Sequence, residues 1–383
     1  MNISELHANE ELRRHEFPVS REKVFLAHAG VCPVPRRVAE AVRDYARLST
    51  MGDQETLVPA TRLSQSREMA ARLIGAKPAE IAFVGPTSLG LSMVAGGLKF
   101  RRNENVVIYF DDYPSNVYPW MKLADRGVQV RFLNVRELGR IRAADVMGQV
   151  DENTRLVALA SCHFLAGWRI DLPAIGEYLR KKQILFCVDG IQTVGAFPMN
   201  AEHFDFLAAD AHKWMLGPCG AGILYVREEV QDRLRPMVWG WNNVYCPHYV
   251  AQEDMKTRSG GARYEAGSHN LLGLVGLNAA MELLLEVGVE KIAAELLRKR
   301  SLLVPLMEAK GFSVLQATAP PQNASGIVTF SRADADMTAL HQKLESAGII
   351  CSLRADRASE QYIRFSPHFY NTDEELHRAV ELL

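Results

Sequence analysis

The stretch Ala209-Asp-Ala-His-Lys-Trp-Met-Leu-Gly-Pro-Cys-Gly-Ala-Gly222 places a single lysine, Lys213, between a histidine and a glycine-rich exit, just after an apolar run at 206–208. A chain built this way presents one amine beyond the end of a strand. Upstream, 184–188 reads as a second apolar strand that runs into Asp189, with Gln192 three residues further on. An amine and a carboxylate at the ends of two such strands imply a layered α/β domain, because these sheets gather ligands beyond the carboxyl ends of their strands.

Outward from this stretch, helical and strand patterns alternate from about residue 66. The pattern gives helix 66–75, strand 81–84, helix 88–98, strand 106–110, helix 114–126 and strand 128–133, then strands at 156–160, 184–188, 206–208 and 222–226. Strands separated by helices pair in parallel through crossovers. Their short apolar runs, with few alternating polar positions, fit burial on both faces. Before them, a short apolar run at 24–27 is broken by Gly30, Pro33 and Pro35 before a helical pattern near Arg37. Residues 227–262 mix tryptophans, prolines and charges without period. One long helical run extends from Leu271 to about Lys310, and strand 326–330, helix 337–347 and strand 362–365 close the chain. The expected organisation is a lead-in over 1–22, a large domain over 23–270 that includes an opening segment 23–60, and a linking helix with a small C-terminal domain over 271–383.

Composition narrows the function. The 383 residues carry 44 Lys and Arg against 45 Asp and Glu, without a basic run interleaved with aromatics, so nothing supports a nucleic-acid or acidic-membrane partner. The expected partner is a small molecule. Six cysteines, at 32, 162, 187, 219, 246 and 351, show neither CxxC nor metal-finger spacing, which favours free thiols in a reducing cytoplasm and no metal centre. Met1 to Arg21 is polar, and no run of about 18 uncharged apolar residues occurs, so a soluble, unexported protein is expected.

The residue types specify a chemistry. A lysine forms a Schiff base with an aldehyde, and a carboxylate against a pyridine nitrogen keeps that nitrogen protonated, so the ring serves as an electron sink. Lys213 and Asp189 fit these two roles for pyridoxal phosphate, and Gln192 could donate to the phenolic oxygen of the ring. Gly85-Pro86-Thr87-Ser88 follows strand 81–84 and opens helix 88–98, so backbone N–H groups and hydroxyls converge where a phosphate binds. Tyr113, in Asp112-Tyr-Pro-Ser-Asn116, lies just past a strand, where its ring could stack on the pyridine face. A nucleotide-binding dehydrogenase would need G-x-G-x-x-G after the first strand, which Gly85-Pro-Thr-Ser-Leu-Gly90 does not supply.

From about residue 24 to the C-terminus the chain resembles the class V aminotransferase group of fold-type I pyridoxal phosphate enzymes, which includes cysteine desulfurases, selenocysteine lyase, kynureninase and isopenicillin N epimerase. Its most specific parts are Val188-Asp-Gly-Ile-Gln192, the His212-Lys-Trp-Met-Leu-Gly-Pro218 segment, Arg263-Tyr-Glu-Ala-Gly-Ser268 and Ile363-Arg-Phe-Ser-Pro-His-Phe-Tyr-Asn-Thr372. The resemblance implies a mainly parallel seven-stranded sheet between helices, with a smaller α/β C-terminal domain. It makes Lys213 the Schiff-base lysine, Asp189 the pyridinium partner and Gln192 the phenolic-oxygen contact. Thr87 and Ser88, with His212, would bind phosphate, and Tyr113 would take the stacking position. Ser268 would reach the phosphate of a neighbouring subunit, which implies a homodimer. Arg364 would bind the substrate α-carboxylate by a two-point contact.

The departures are informative too. Asp210 stands where many members have a phosphate-binding serine, and a carboxylate there would repel a phosphate unless turned away or bonded to a donor. Cys351 falls in a strand rather than on a mobile loop, which argues against persulfide chemistry on it. His163 and Phe164 stand where desulfurases tend to have asparagine, and His163 is a candidate substrate-side acid or base. The expected function is a pyridoxal phosphate enzyme acting on an amino acid or related amine by aminotransferase or carbon–sulfur lyase chemistry. Epimerase-like or kynureninase-like reactions share its first steps, and the non-enzyme alternative is a catalytically silent homologue.

Overall fold

The structure is a computed structural model that describes residues 1–383. Its strands are β1 (Val24–Phe25), β2 (Ile81–Val84), β3 (Asn105–Ile108), β4 (Gln129–Phe132), β5 (Thr154–Ala160), β6 (Leu185–Asp189), β7 (Phe206–Asp210), β8 (Gly222–Val226), β9 (Ser313–Val314), β10 (Val328–Ser331), β11 (Ile349–Ile350), β12 (Ser352–Ala355) and β13 (Gln361–Phe365). A seven-stranded sheet has the order β2-β8-β7-β6-β5-β3-β4. All its pairings are parallel except those of β8, which runs against both β7 and β2. The segment 211–221 that joins β7 to β8 forms no helix, so no crossover carries the chain over the sheet and it turns back beside the strand it left.

The sheet divides the apolar residues by alternation. Val107, Leu159, Val188, Leu207 and Ile223 pack on one face, while Val106, Ile108, Ala158, Cys187, Phe206 and Leu224 pack on the other. Successive side chains of a strand point to opposite faces, so the unbroken apolar runs of β3, β6, β7 and β8 fill two cores at once. Each Val, Leu, Ile or Phe among them contributes roughly 1.5–3 kcal/mol on burial. The helix Thr87–Gly97 lies directly on β7: a Cβ at Gly90 would come within 2.8 Å of the Ala208 Cβ. That close approach fixes the helix N-terminus, with Thr87 and Ser88, over the strand ends.

The C-terminal strands form a separate antiparallel sheet, β12-β13-β10-β9, covered by helices Met337–Ser346 and Asp373–Glu381. Val24 and Leu26, from the opening segment, pack in the same apolar cluster, and β1 pairs with β11. The long helical run expected from Leu271 breaks at Gly288, where φ is +92°, into Leu271–Val287 and Val289–Ala309, bent by 77°. The first piece packs into the large core and the second carries Leu303, Val304 and Met307 into the C-terminal cluster. The helix expected over 114–126 is likewise divided, into the 3-10 turn Pro114–Asn116, the α-turn Tyr118–Met121 and the 3-10 turn Lys122–Arg126. Pro114 and Pro119 have no N–H to give, so each begins a new turn rather than continuing one. No single helix is long and apolar enough to cross a membrane.

Candidate active site

One cavity of about 240 Å³ gathers Thr87, Ser88, Tyr113, Asp189, His212, Lys213 and Arg364 on its wall. The fold explains the convergence: Asp189 ends β6, Lys213 follows the end of β7, Thr87 opens the helix after β2, and Tyr113 lies beyond β3. Lys213 and Asp189 are both buried, at 7% and 3% exposure. Burial lowers the affinity of the Lys213 amine for its proton, against the pull of Asp189 and with the help of Arg364 and Arg354. Burial raises the proton affinity of Asp189, and the nearby Asp112 carboxylate adds to that.

Asp189 accepts one hydrogen bond from the protein, from the Ile191 N–H at 3.0 Å, and so retains acceptor capacity towards the cavity. The Lys213 Nζ lies 5.2 Å from the centroid of the Tyr113 ring, which meets Phe164 edge-on at 5.5 Å. Arg364, on β13 and 1% exposed, donates from Nη1 to the Phe164 carbonyl at 2.6 Å and from Nη2 to Ser352 Oγ at 3.4 Å. Its Nε is buried with no partner. A buried guanidinium N–H left without a partner is costly.

At the other end of the cavity the Asp210 N–H donates to Thr87 Oγ1 at 2.9 Å, and Ser88 Oγ meets Ser115 Oγ at 2.9 Å. The Asp210 carboxylate accepts from the N–H groups of Ala211, Gly220 and Ala221, and from His212 Nδ1 at 2.7 Å. Burial alone would push its pKa up, but His212 and these backbone donors outweigh that and lower it. Asp210 is therefore off the cavity wall with its carboxylate bonded to donors, the condition under which a phosphate is tolerated beside it. The loop that carries Lys213 also includes Leu216, fully buried at φ +58°, a left-handed conformation that costs a non-glycine residue about 1 kcal/mol and persists only where packing imposes it.

Three expected residues lie elsewhere. Gln192 is not on the cavity wall: its Oε1 accepts from Trp214 Nε1 at 2.7 Å and its Nε2 donates to the Ala29 carbonyl at 3.1 Å, so the amide ties two backbone segments together. His163, expected on the substrate side, is also off the wall. Its Nδ1 accepts from the Ala166 N–H at 3.0 Å, so Nε2 carries the hydrogen and donates to the Asp111 carbonyl at 3.0 Å. Burial pushes its pKa down to about 4, so the ring is neutral, and its neighbour Phe164 lines the cavity. Ser268 is exposed and lines a different cavity, with Phe83, Leu89, Val238 and Tyr264; its Oγ donates to Glu55 at 2.7 Å.

The cavity also uses Phe164, noted above beside His163, and two residues that the sequence did not single out: Ser115 and Arg354. Ser115 stood within the quoted Asp112–Asn116 run. Arg354 becomes visible only with the register of β12 on β13, which sets Ser352 opposite Arg364. No cysteine lines the cavity. Cys351 is buried, as expected, and burial pushes its thiol up to about 12.

The family model for aminotransferase class-V matches residues 24–379. A relative described as a probable cysteine desulfurase, from Methanothermobacter thermautotrophicus, is 30% identical over 98% of this chain and 97% of its own length. The uncharacterized aminotransferase YcbU of Bacillus subtilis is 27% identical over 97% of this chain and 96% of its own. Among solved structures, the apo cysteine desulfurase of Thermococcus onnurineus NA1 superposes with a TM-score of 0.87 at 24% identity, covering 97% of this chain and 96% of that one. The cystine C-S lyase C-DES, solved with its product cysteine persulfide, reaches 0.87 at 23% identity, covering 96% and 98%. These two likenesses establish the fold, and the family match spans nearly the whole chain. The chain belongs to the class-V aminotransferase family and is a pyridoxal phosphate-dependent enzyme.

Proposed function

We propose that this enzyme acts on the α-amino group of an amino acid and cleaves a carbon–sulfur bond by β-elimination, without relaying sulfur through a protein thiol. The observation that carries this reading is the single cavity that unites Lys213, Asp189 and Arg364 and contains no cysteine. The names of the desulfurase and C-S lyase relatives support the sulfur chemistry. Transamination is the second reading, supported by the aminotransferase relative, and it needs the same residues at the α-carbon.

Pyridoxal phosphate supplies, when bound, an electron sink that weakens the bonds at the substrate α-carbon. The residues present fit it. Asp189 has acceptor capacity left for a ring N–H, and pairing with a cation would offset the cost of its burial. Thr87 and Ser88, at a helix N-terminus, would hold the phosphate together with His212, and Tyr113 would cover the ring. Lys213 Nζ, which burial makes readier to release its proton, would carry the cofactor between turnovers and then move the proton at the α-carbon. Arg364 would orient the substrate through its carboxylate by a charge-assisted contact.

The working unit is proposed to be a homodimer. Met237, Trp239, Tyr245, Tyr249, Val250 and Met255 are all exposed in the segment that leads to Ser268, which supports a second copy covering them. Six free cysteines, four of them buried, support a reducing, cytoplasmic setting.

The test is a screen of amino acids that includes cysteine, its sulfur conjugates and selenocysteine, scored for pyruvate, sulfide and keto acids. Pyruvate together with a sulfur product, absent in Lys213→Ala, supports elimination; keto acid without a sulfur product selects transamination. If Arg364→Ala raised KM for simple amines as much as for carboxylated substrates, the carboxylate role would fall.

A further inference from the structure

Lys213 sits in a segment with no helix or strand of its own, yet both carbonyls that flank it are held by groups far away in the chain. The His212 carbonyl accepts from the Cys32 N–H at 2.8 Å, and the Trp214 carbonyl accepts from His368 Nε2 at 3.1 Å. No backbone N–H reaches the Trp214 carbonyl, so the histidine alone satisfies it. A buried carbonyl without a donor is costly, and Trp214 is 1% exposed.

The tautomer of His368 is fixed by its surroundings. Its Nδ1 accepts from the Phe369 N–H at 2.9 Å, so Nε2 carries the hydrogen. The ring is fully buried, which pushes its pKa down to about 4, and the donor therefore persists in one neutral form at neutral pH. Asn371 Oδ1 accepts from the His368 N–H at 2.8 Å and holds the turn that aims the ring. His368 also follows Arg364 by four residues, where the chain leaves β13. The guanidinium and the donor to the lysine segment thus belong to one short stretch, and Ser366 within it ties to the Leu26 carbonyl at 2.7 Å and to the Ala29 N–H at 3.0 Å. A neighbouring ring separates this role from packing. His28 is equally buried, with its centroid 5.1 Å from that of His368, but it bonds the Ser366 carbonyl and the Tyr370 hydroxyl and nothing in the lysine segment.

We infer that His368 is a positioning residue for the reaction: its Nε2–H fixes the Lys213 peptide against the strand that carries Arg364, and so sets how far the amine reaches towards the substrate α-carbon. Displacing a reacting group by about 1 Å costs on the order of a hundredfold in rate, so one backbone anchor beside the lysine has a large effect. The inference rests on the proposed role of Lys213 in moving the proton at the α-carbon.

Three variants test it. His368→Leu removes the donor at similar volume, His368→Gln keeps an N–H at comparable reach, and His28→Leu makes the same kind of change one ring away. The readouts are kcat and KM with the amino acid that the wild type turns over fastest, the thermal melt, and the rate at which the apoprotein captures added pyridoxal phosphate, trapped on Lys213 by borohydride and located by peptide mass. His368→Leu should lower kcat and the capture rate by at least about tenfold each while changing KM less than about twofold. His368→Gln should recover most of both losses. His28→Leu should lower the melting temperature comparably and leave kcat and capture within about twofold of the wild type. If the two leucine variants lose activity in step with stability, or if His368→Gln melts like the wild type and is as slow as His368→Leu, the ring only packs and the inference falls. Should His368→Leu not fold, His368→Asn, whose shorter amide does not reach the Trp214 carbonyl, takes its place under the same criteria. A wild type that captures the cofactor on Lys213 but turns over no amino acid overturns the proposed function, and the capture rates then decide the role of His368 by themselves.

Discussion

Asp210 Oδ2 accepts the Nδ1–H of His212 at 2.7 Å, and this one bond decides which face of the imidazole meets the cavity. With Nδ1 committed to the carboxylate, Nε2 is the ring atom available to a phosphate. Asp210→Asn should weaken cofactor retention by about tenfold, in line with the loss of one charged hydrogen bond. The measurement is equilibrium dialysis at fixed ionic strength. His212→Gln should cost a similar amount, and the double variant should cost no more than either alone, because both changes break one unit.

Glu265 joins the loop before Ser268 to the sheet. Its carboxylate accepts from the Phe83 N–H at 2.6 Å, from both terminal nitrogens of Arg67 at 2.7 and 2.6 Å, and from His269 Nε2 at 2.9 Å. Burial would raise its pKa, but His269 and Arg67 outweigh that and bring it down to about 2 from 4.5. A carboxylate depressed on folding stabilises the protein fully above its unfolded value and loses that contribution as pH falls towards the folded one. Glu265 therefore contributes about 3 kcal/mol at neutral pH, fading between pH 4.5 and 2. Glu265→Gln should lower the urea unfolding free energy by about that amount at pH 7 and by much less near pH 2. Equal losses at both pH values would remove the linkage.

Cys351→Ala should leave turnover unchanged at a stability cost of about 1 kcal/mol, since the thiol is buried against the C-terminal cluster and protonated. Loss of activity with intact folding, read from steady-state rates beside a thermal melt, would revive a sulfur relay on this residue.

Ser268→Ala should speed cofactor loss if the hydroxyl serves a neighbouring copy, and sedimentation should show a dimer for both forms. A wild type that sediments as a monomer while fully active would sink the shared-site reading.

Much of the layered fold is legible because buried strands advertise themselves: 81–84 and 222–226 read from apolar content alone coincide with β2 and β8. The direction of β8 was implicit in the same text, since 211–221 has no helical pattern to carry a crossover. Gly288 was visible but ambiguous, because an isolated glycine in an apolar helical run is tolerated as often as it breaks one. The convergence of Lys213, Asp189, Thr87 and Tyr113 was legible because each stands at a strand end, a position that local pattern reveals. The partners of Gln192 and His163 were not legible, because spacing says nothing of which neighbouring groups an amide or imidazole will satisfy. Arg354, and the pairing of β1 with β11 across more than three hundred residues, depend on long-range register that one chain does not spell out.

The reversed β8 turns the lysine segment into a short closed span. Asp210 and Gly222 face each other as paired residues at its two feet, and the Asp210 carboxylate stitches Gly220 and Ala221 to the same base. A span anchored at both feet has nowhere to pass on an added or missing residue. Length changes that the surface turns would accommodate should here swing the amine off its target, so this arch is the part of the molecule in which evolution could revise chemistry only by exchanging side chains.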